Sequence, residues 1–195
     1  MTRRVRATLL RAVATLVLLV GTVVAEAASF TLDERRQQEA VDAGERSVMQ
    51  ESFGDEWRQR NSAGHVVMVM TPFHRLALAA RQAAFRKEPL KPRDRERILK
   101  EQQDRVVFWV QLKGPREDFA RFYAPRLIAG ARHIEPAFAQ NERTPGRGDD
   151  GKFVAHCVYA FPTKALSETA KVMLVVRDGD GRDITSFSVD LASMR

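Results

Sequence analysis

The side chains best suited to nucleophilic chemistry are the single cysteine, Cys157, and the four histidines of the chain. A cysteine nucleophile needs a base within hydrogen-bond reach of its thiol. His156 directly precedes Cys157, but neighbouring side chains of a strand point to opposite faces, so these two cannot form a dyad. A thiol enzyme would need His65, His74 or His133 beside Cys157. The simpler interpretation is a buried, inert thiol, because free cysteine is among the most buried residue types.

Metal binding is the second chemistry that these residue types could support. No two histidines are three or four residues apart, and one cysteine cannot supply a thiolate-rich zinc site. The segment DGDGRD, residues 178–183, resembles the start of a calcium loop. However, Arg182 is at the fifth position, Asp183 replaces the glycine of the sixth, and Val189 is at the twelfth position, where the loop needs a glutamate. We therefore predict a hairpin turn here and no metal ligands.

Other functional motifs are missing from the sequence. It has no nucleophile elbow, phosphate-binding loop, dinucleotide fingerprint or metalloprotease helix. Arg147-Gly148-Asp149 matches an adhesion triplet, but glycine and aspartate are also what an exposed turn requires. We therefore predict no catalytic, cofactor-binding or metal-binding residues, and no cofactor.

The first 27 residues have the pattern of a signal peptide. Four arginines precede a nearly charge-free apolar run over residues 12–25, and Ala25-Glu26-Ala27 resembles a signal peptidase site. The run is shorter than the roughly 20 residues of a spanning helix. We expect a cleaved leader and a periplasmic or secreted protein, with a retained membrane anchor as the alternative.

The charge balance excludes a dedicated polyanion-binding protein. The formal net charge is +7, and removal of residues 1–27 leaves 28 basic and 24 acidic side chains, a net charge of +4. Charges of both signs are interspersed, which argues against a nucleic-acid groove. We expect no nucleic-acid partner, and membrane contact only if the leader is retained. The oligomeric state stays open.

Three helices are predicted before residue 105. A polar helix is predicted over Thr31–Gln50, capped by Thr31; its apolar face is thin and Gly44 weakens it, so we expect it to be peripheral. Thr71-Pro72 is a strong helix start, which predicts a helix over Pro72–Lys87. A second, highly charged helix is predicted over 93–104.

Strands dominate the rest of the chain. Two strands are predicted before the Pro72–Lys87 helix. One is a short strand around Trp57, and the other, residues 65–70, is buried on both faces. Apolar alternation and Asp-Gly turns predict five further strands. They cover 106–112, 132–141 as an edge strand with Pro136, 153–161 as a central strand, and a hairpin of 170–177 with 183–191.

Together these patterns predict an α+β fold: N-terminal helices with one buried strand, then a C-terminal antiparallel β-sheet or β-sandwich. An immunoglobulin-like sandwich is one form that it could take. We expect a signal peptide at 1–27, a polar helical segment at 28–52 and one globular domain at 53–195, strand-rich from residue 106. The predicted function is noncatalytic binding or assembly in the cell envelope, with a protein or polysaccharide partner. The alternative is a secreted hydrolase or thiol enzyme using Cys157.

Overall fold

Residues 29–195 are described by a computed structural model, and the predicted signal peptide lies outside them. They form three α-helices and ten strands, and the strands make two antiparallel sheets. The fold is therefore α+β, as the sequence predicts. Within this part of the chain, no helix combines the length and apolar character needed to cross a bilayer.

The first helix, α1, covers Glu34–Arg46. Its N-cap is Asp33, whose carboxylate accepts a hydrogen bond from the backbone N–H of Arg36 at 2.8 Å. The prediction of Thr31 as the cap was wrong. An aspartate satisfies the same free N–H group and adds a negative charge where the helix dipole favours it.

Helix α1 packs closely against the second helix, α2, which covers Pro72–Phe85. Ala40 and Val41 are buried, and a Cβ atom on Gly44 would overlap the carbonyl oxygen of Ala77. The expected peripheral helix is thus part of the core. Gly44 lowers helix propensity, but it allows the two backbones to approach, which the linear pattern does not reveal.

The starts of α2 and of the third helix, α3, agree with their sequence signals. The Thr71 hydroxyl accepts a hydrogen bond from the backbone N–H of His74 at 3.1 Å, and Pro72 occupies the first turn of α2. Helix α3 covers Pro92–Gln102, again with its proline at the first position, and buries little besides Ile98. Both predicted helices are confirmed.

Six strands form what we call the large sheet, in the order β1-β2-β3-β8-β6, with β7 also paired to β8. Their ranges are Arg58–Arg60, Val66–Met70, Arg105–Gly114, Phe138–Gln140, Gly146–Arg147 and Phe153–Pro162 for β1, β2, β3, β6, β7 and β8. The central pair, β3 and β8, is matched over ten positions. The buried N-terminal strand β2 therefore belongs to the same sheet as strands from the C-terminal half.

Four strands form the small sheet, in the order β10-β9-β4-β5. They cover Ala124–Ala129, Arg132–Ile134, Lys171–Arg177 and Asp183–Asp190 for β4, β5, β9 and β10. The predicted β9–β10 hairpin is confirmed. Strand β4 was not predicted, because Pro125 obscures its pattern, yet it is an inner strand between β9 and β5.

The single edge strand predicted over 132–141 was wrong. Residues Arg132–Ile134 pair with β4 in the small sheet, whereas Phe138–Gln140 pair with β8 in the large sheet. Pro136 lies between the two, in the segment where the chain passes from one sheet to the other. A residue without a backbone N–H suits such a crossing, because it leaves no ladder donor unpaired.

Both sheets contribute their inner faces to one core, together with α1 and α2. Strand β8 alternates as predicted: Ala155, Cys157, Tyr159 and Phe161 are buried in that core, and His156 is exposed on the other face. The finer prediction of an immunoglobulin-like sandwich is not confirmed.

Candidate functional site

The outer face of the large sheet, turned away from the main core, forms a concavity of about 490 Å³. Strands β1, β2, β3 and β8 build its floor and rim. We call it the sheet concavity, and ten residues line it: Arg58, Arg60, Val66, Met68, Trp109, Val110, Gln111, His156, Cys157 and Val158. The side chains of Val110 and Cys157 belong to the main core, so eight side chains define its chemistry.

Strand register arranges these side chains in two rows. The first row runs across the four strands as Arg58, Met68, Trp109 and Val158. The second row runs as Arg60, Val66, Gln111 and His156. Residues directly opposite each other share a face, so each row places arginine at the β1 end. With a spacing of about 4.8 Å per strand, a row spans about 14 Å.

The floor of the sheet concavity is apolar and open. Trp109 is 40% exposed, and Met68 and Val158 are half-buried beside it. Farther along the same face, Leu78 of α2 packs against a small buried cluster of Met70, Val107 and Ala160. The apolar covering by Leu78 stops before Trp109, whose ring instead lies beneath the guanidinium of Arg75. A large aromatic side chain is thus left facing solvent on an otherwise well-packed sheet.

Two arginines at the β1 end lack a compensating negative charge. Within residues 29–195, the Arg58 side chain has no hydrogen bond or ion pair, and the Arg60 side chain has only a long hydrogen bond of 3.4 Å to the carbonyl oxygen of Gly64. By contrast, Lys113 on β3 is already paired with Asp150 at 2.6 Å. Unlike Lys113, the side chains of Arg58 and Arg60 therefore carry positive charges that no carboxylate within residues 29–195 neutralises.

A third guanidinium contacts the floor. Arg75 of α2 lies over the Trp109 ring, with its guanidinium carbon 5.8 Å from the ring centroid. This distance is within the range of a cation–π interaction. The indole is therefore held beside positive charge, and its environment suits an anion whose body is apolar.

At the β8 end, His156 is held by Glu142. One carboxylate oxygen of Glu142 accepts a hydrogen bond from the His156 backbone N–H at 2.7 Å and lies 3.2 Å from the ring Nδ1. This contact orients the imidazole, and Nε2 has no partner within the described part of the chain. The ring can therefore donate or accept a hydrogen bond at Nε2. No lining side chain of the concavity provides a nucleophile beside it.

Cys157 is not arranged as a reactive thiol. Its side chain is 1% exposed in the main core, and burial raises the pKa of the thiol. Activated cysteines have the opposite environment, partly exposed and electropositive. The phenol of Tyr159, on the same inner face, donates to the Asn141 amide oxygen at 2.8 Å, and burial raises the pKa of that phenol.

The other three histidines are engaged elsewhere. The Nδ1 atom of His65 accepts a hydrogen bond from the Lys113 backbone N–H at 3.1 Å, and burial, with Lys152 and Lys113 nearby, lowers the pKa of its imidazole. His133 lies on β5 of the small sheet and is exposed. The structure therefore brings none of the sequence-proposed histidines into a hydrogen bond with Cys157 among the described residues.

His74 belongs to an aromatic corner that we call the Trp57 corner. It consists of the buried residues Trp57, Thr71 and His74 and the partly exposed pair Glu56 and Arg195. The His74 ring stacks on Trp57 with centroids 4.1 Å apart, and its Nδ1 lies 2.9 Å from the carbonyl oxygen of Val69. The backbone oxygen of Arg195 accepts from Trp57 Nε1 at 2.9 Å and from the Thr71 hydroxyl at 2.5 Å.

Burial lowers the pKa of His74 to about 4. The imidazole is therefore neutral at physiological pH, where one ring nitrogen can donate to the Val69 carbonyl. A guanidinium–carboxylate pair, Arg195 with Glu56 at 2.5 Å, closes the corner. Each ring and polar atom described above for the Trp57 corner has a partner inside the fold. We therefore assign this cluster a structural role.

The two loop motifs have structural explanations as well. In the 178–183 turn, the Asp178 carboxylate accepts backbone N–H groups of Asp180 and Arg182, which lowers its pKa. Arg147 of the adhesion-like triplet lies 5.1 Å from the Phe153 ring centroid. Across residues 29–195, no group of three or more histidine, cysteine, aspartate or glutamate side chains could hold a metal ion.

Sequence reasoning missed the sheet concavity and most of its residues. Arg58 and Arg60 are two residues apart in a segment predicted as a strand, a spacing that places both on one face. That signal could have found them. Glu142 could not have been found, because it is 14 residues before His156 and reaches it only through the fold.

Comparison with known proteins does not connect this site to a family. No family model and no curated protein matches the sequence. A crystal structure from Burkholderia pseudomallei K96243, described as a novel protein of unknown function, is similar over 84% of this chain and 92% of its own, with 7% identity and a TM-score of 0.42. This level of similarity indicates neither a shared family nor a function.

Proposed function

We propose that this chain is an exported, noncatalytic protein of the periplasm or the extracellular space that binds a component of the cell envelope through the sheet concavity. One observation carries the proposal: an open apolar strip around Trp109 ends at Arg58 and Arg60, two arginines without a negative partner in the described residues. Apolar clefts with a few polar groups are the usual form of binding sites.

The structural part of the proposal is a rigid platform. The two sheets share one core. We propose that they face each other as a sandwich, and this arrangement does not require the immunoglobulin strand order. Trp109 stands on β3, which is paired along its whole length with β8. A site on central strands is held more firmly than one on loops.

Export is supported by the leader pattern of residues 1–27, and intact-mass measurement of the protein recovered from the periplasm or the medium tests it. The expected mass lacks residues 1–27. A recovered mass that still includes them would replace cleavage by a retained anchor. Recovery from the cytoplasm alone would contradict export.

Binding can be tested by capture from envelope extracts. We expect the wild-type chain and the Phe122→Ala variant to retain the same component, and Trp109→Ala to lose it. Phe122 is the matched control because it is an exposed aromatic, 70% accessible, in a separate surface region. Equal capture by all three proteins would reject the sheet concavity as the binding site.

Thiol catalysis by Cys157, the alternative function, has no observation in its favour. The thiol is buried and its pKa is raised, which lowers the fraction of reactive thiolate. Labelling of the native protein with iodoacetamide at pH 7 is expected to be slow and to become fast after unfolding. Rapid labelling of the native state would revive the enzyme hypothesis.

A further inference from the structure

We propose that the ligand of the sheet concavity is a single anionic amphiphile, a molecule with an alkyl body and a carboxylate or phosphate head. The inference rests on the proposed function and names the class of its ligand. The head would bind at Arg58 and Arg60, and the alkyl body would lie along the row through Met68 and Trp109.

The polarity of the first row changes in one direction only, whereas the second row ends in the polar side chains Gln111 and His156. At the β1 end are two guanidiniums, each able to donate to an anion. Next along the first row come Met68, Trp109 and Val158, three apolar side chains in register on neighbouring strands. An amphiphile with one charged end matches the order along this row.

The negative groups near the concavity do not compensate these arginines. Glu142 is at the opposite end, where it bonds His156, and Asp150 is paired with Lys113. Arg75, which lies over the Trp109 ring, is also positive. Charge complementarity therefore favours an anion.

The dimensions favour one small molecule over a macromolecule or a bilayer. A volume of about 490 Å³ falls within the roughly 300–1,000 Å³ typical of small-ligand sites. The row from β1 to β8 is about 14 Å long, which a medium-length alkyl chain can span. A bilayer surface cannot enter a concavity of this size, and a protein partner would need a contact area several times larger.

Trp109 provides a direct readout of binding. The chain has two tryptophans, and Trp57 is 1% exposed with its Nε1 hydrogen-bonded, so an added ligand meets Trp109 alone. We would titrate the full chain with sodium dodecanoate below its micelle-forming concentration, following tryptophan emission and confirming stoichiometry by calorimetry. One saturable site is expected, with dodecanol and dodecyltrimethylammonium at least tenfold weaker.

Charge-removing variants locate the head group. Arg58→Gln combined with Arg60→Gln should weaken dodecanoate binding at least tenfold and leave the weak binding of dodecanol unchanged. Arg93→Gln combined with Arg132→Gln is the matched control, because both are exposed arginines outside the concavity. Equal affinity for the acid and the alcohol, or no effect of the Arg58 and Arg60 changes, would overturn the inference.

Two further experiments test whether a lipid bilayer or an acidic polysaccharide, which also carry anionic groups, binds in place of a single amphiphile. Vesicles containing phosphatidylglycerol should bind no more of the wild-type chain than of the Trp109→Ala variant, and an oligomer of hexuronic acid should bind more weakly than dodecanoate. The opposite result in either experiment would overturn the proposal that the ligand is an anionic amphiphile. If an envelope component is captured through Trp109 but dodecanoate does not bind, the proposed function stands and this inference fails.

Discussion

The Trp57 corner and the sheet concavity contain similar residue types in opposite environments. Each combines a tryptophan with a histidine and arginine side chains. In the corner, Trp57 is 1% exposed, His74 stacks on it, and Arg195 is paired with Glu56. In the concavity, Trp109 is 40% exposed, and the Arg58 side chain has no partner within residues 29–195.

We infer from this difference that satisfaction of polar groups, not residue type, separates the structural corner from the proposed binding site. A buried polar group without a partner costs free energy, so the corner must pair each one. A solvent-exposed guanidinium carries no such cost and stays available to a ligand. Four measurements can break or sharpen this comparison.

Replacement of the two tryptophans by alanine should give the largest contrast. Trp57→Ala removes a fully buried ring and its hydrogen bond to the Arg195 carbonyl, so we expect a loss of about 3–5 kcal/mol in the free energy of unfolding. Trp109→Ala should cost less, about 1–2 kcal/mol, because 40% of its surface is already hydrated. Urea unfolding followed by circular dichroism measures both. Equal losses would contradict the comparison.

Acidification should destabilise the corner through His74. Its pKa is about 4 in the folded chain and 6.5 in a solvated, unfolded peptide, so the unfolded state binds more protons between these values. Stability from this group is therefore complete above pH 6.5 and falls as the pH decreases to 4, by about 3 kcal/mol.

The variant His74→Phe isolates this contribution, because it keeps a ring against Trp57 and cannot titrate. Its free energy of unfolding should change less between pH 6.5 and 4 than that of the wild type. His156→Gln, on the exposed face, is the control and should follow the wild type. An unchanged pH profile in His74→Phe would show that the corner tolerates the charge.

Removal of the Thr71 hydroxyl should have an intermediate effect. The hydroxyl caps α2 by accepting from the His74 N–H and also donates to the Arg195 carbonyl. We expect Thr71→Ala to lose about 1–2 kcal/mol, measured by urea unfolding. Thr144→Ala, at an exposed loop position, should be neutral. If both variants lose the same amount, the corner is not held through this hydroxyl.

The smallest effect on stability is expected at the arginines of the concavity. Arg58→Gln combined with Arg60→Gln should change the free energy of unfolding by less than about 0.5 kcal/mol, because neither side chain has an ion pair within residues 29–195. Arg195→Gln should cost up to about 1 kcal/mol, since it breaks the pair with Glu56. Thermal unfolding distinguishes the two. A large loss in the first variant would mean that these arginines stabilise the fold.

Local patterns in the sequence predicted elements whose signals are contained in a few residues. The Thr71-Pro72 start of α2, the alternation of β8 and the Asp-Gly hairpin between β9 and β10 all appear where expected. The prediction for residues 132–141 failed because pairing partners, not local propensity, assign β5 and β6 to different sheets. The prediction of a peripheral first helix weakened by Gly44 failed for the same reason, because the role of Gly44 depends on its close approach to Ala77.

By itself, the sequence determined the α+β class, the Thr71-Pro72 start of α2, the turn between β9 and β10, and the opposite faces of His156 and Cys157. It could not determine which tryptophan is buried. Trp57 lies in a polar segment, residues 55–60, and Trp109 lies in an apolar one, yet Trp57 is buried and Trp109 is 40% exposed. The exposure of each ring depends on whether another element covers it. Only the tertiary structure decides this. Helix α2 stacks the buried His74 on Trp57, whereas on the outer face its Leu78 packs beside Met70, Val107 and Ala160, and Trp109 stays 40% exposed beneath Arg75.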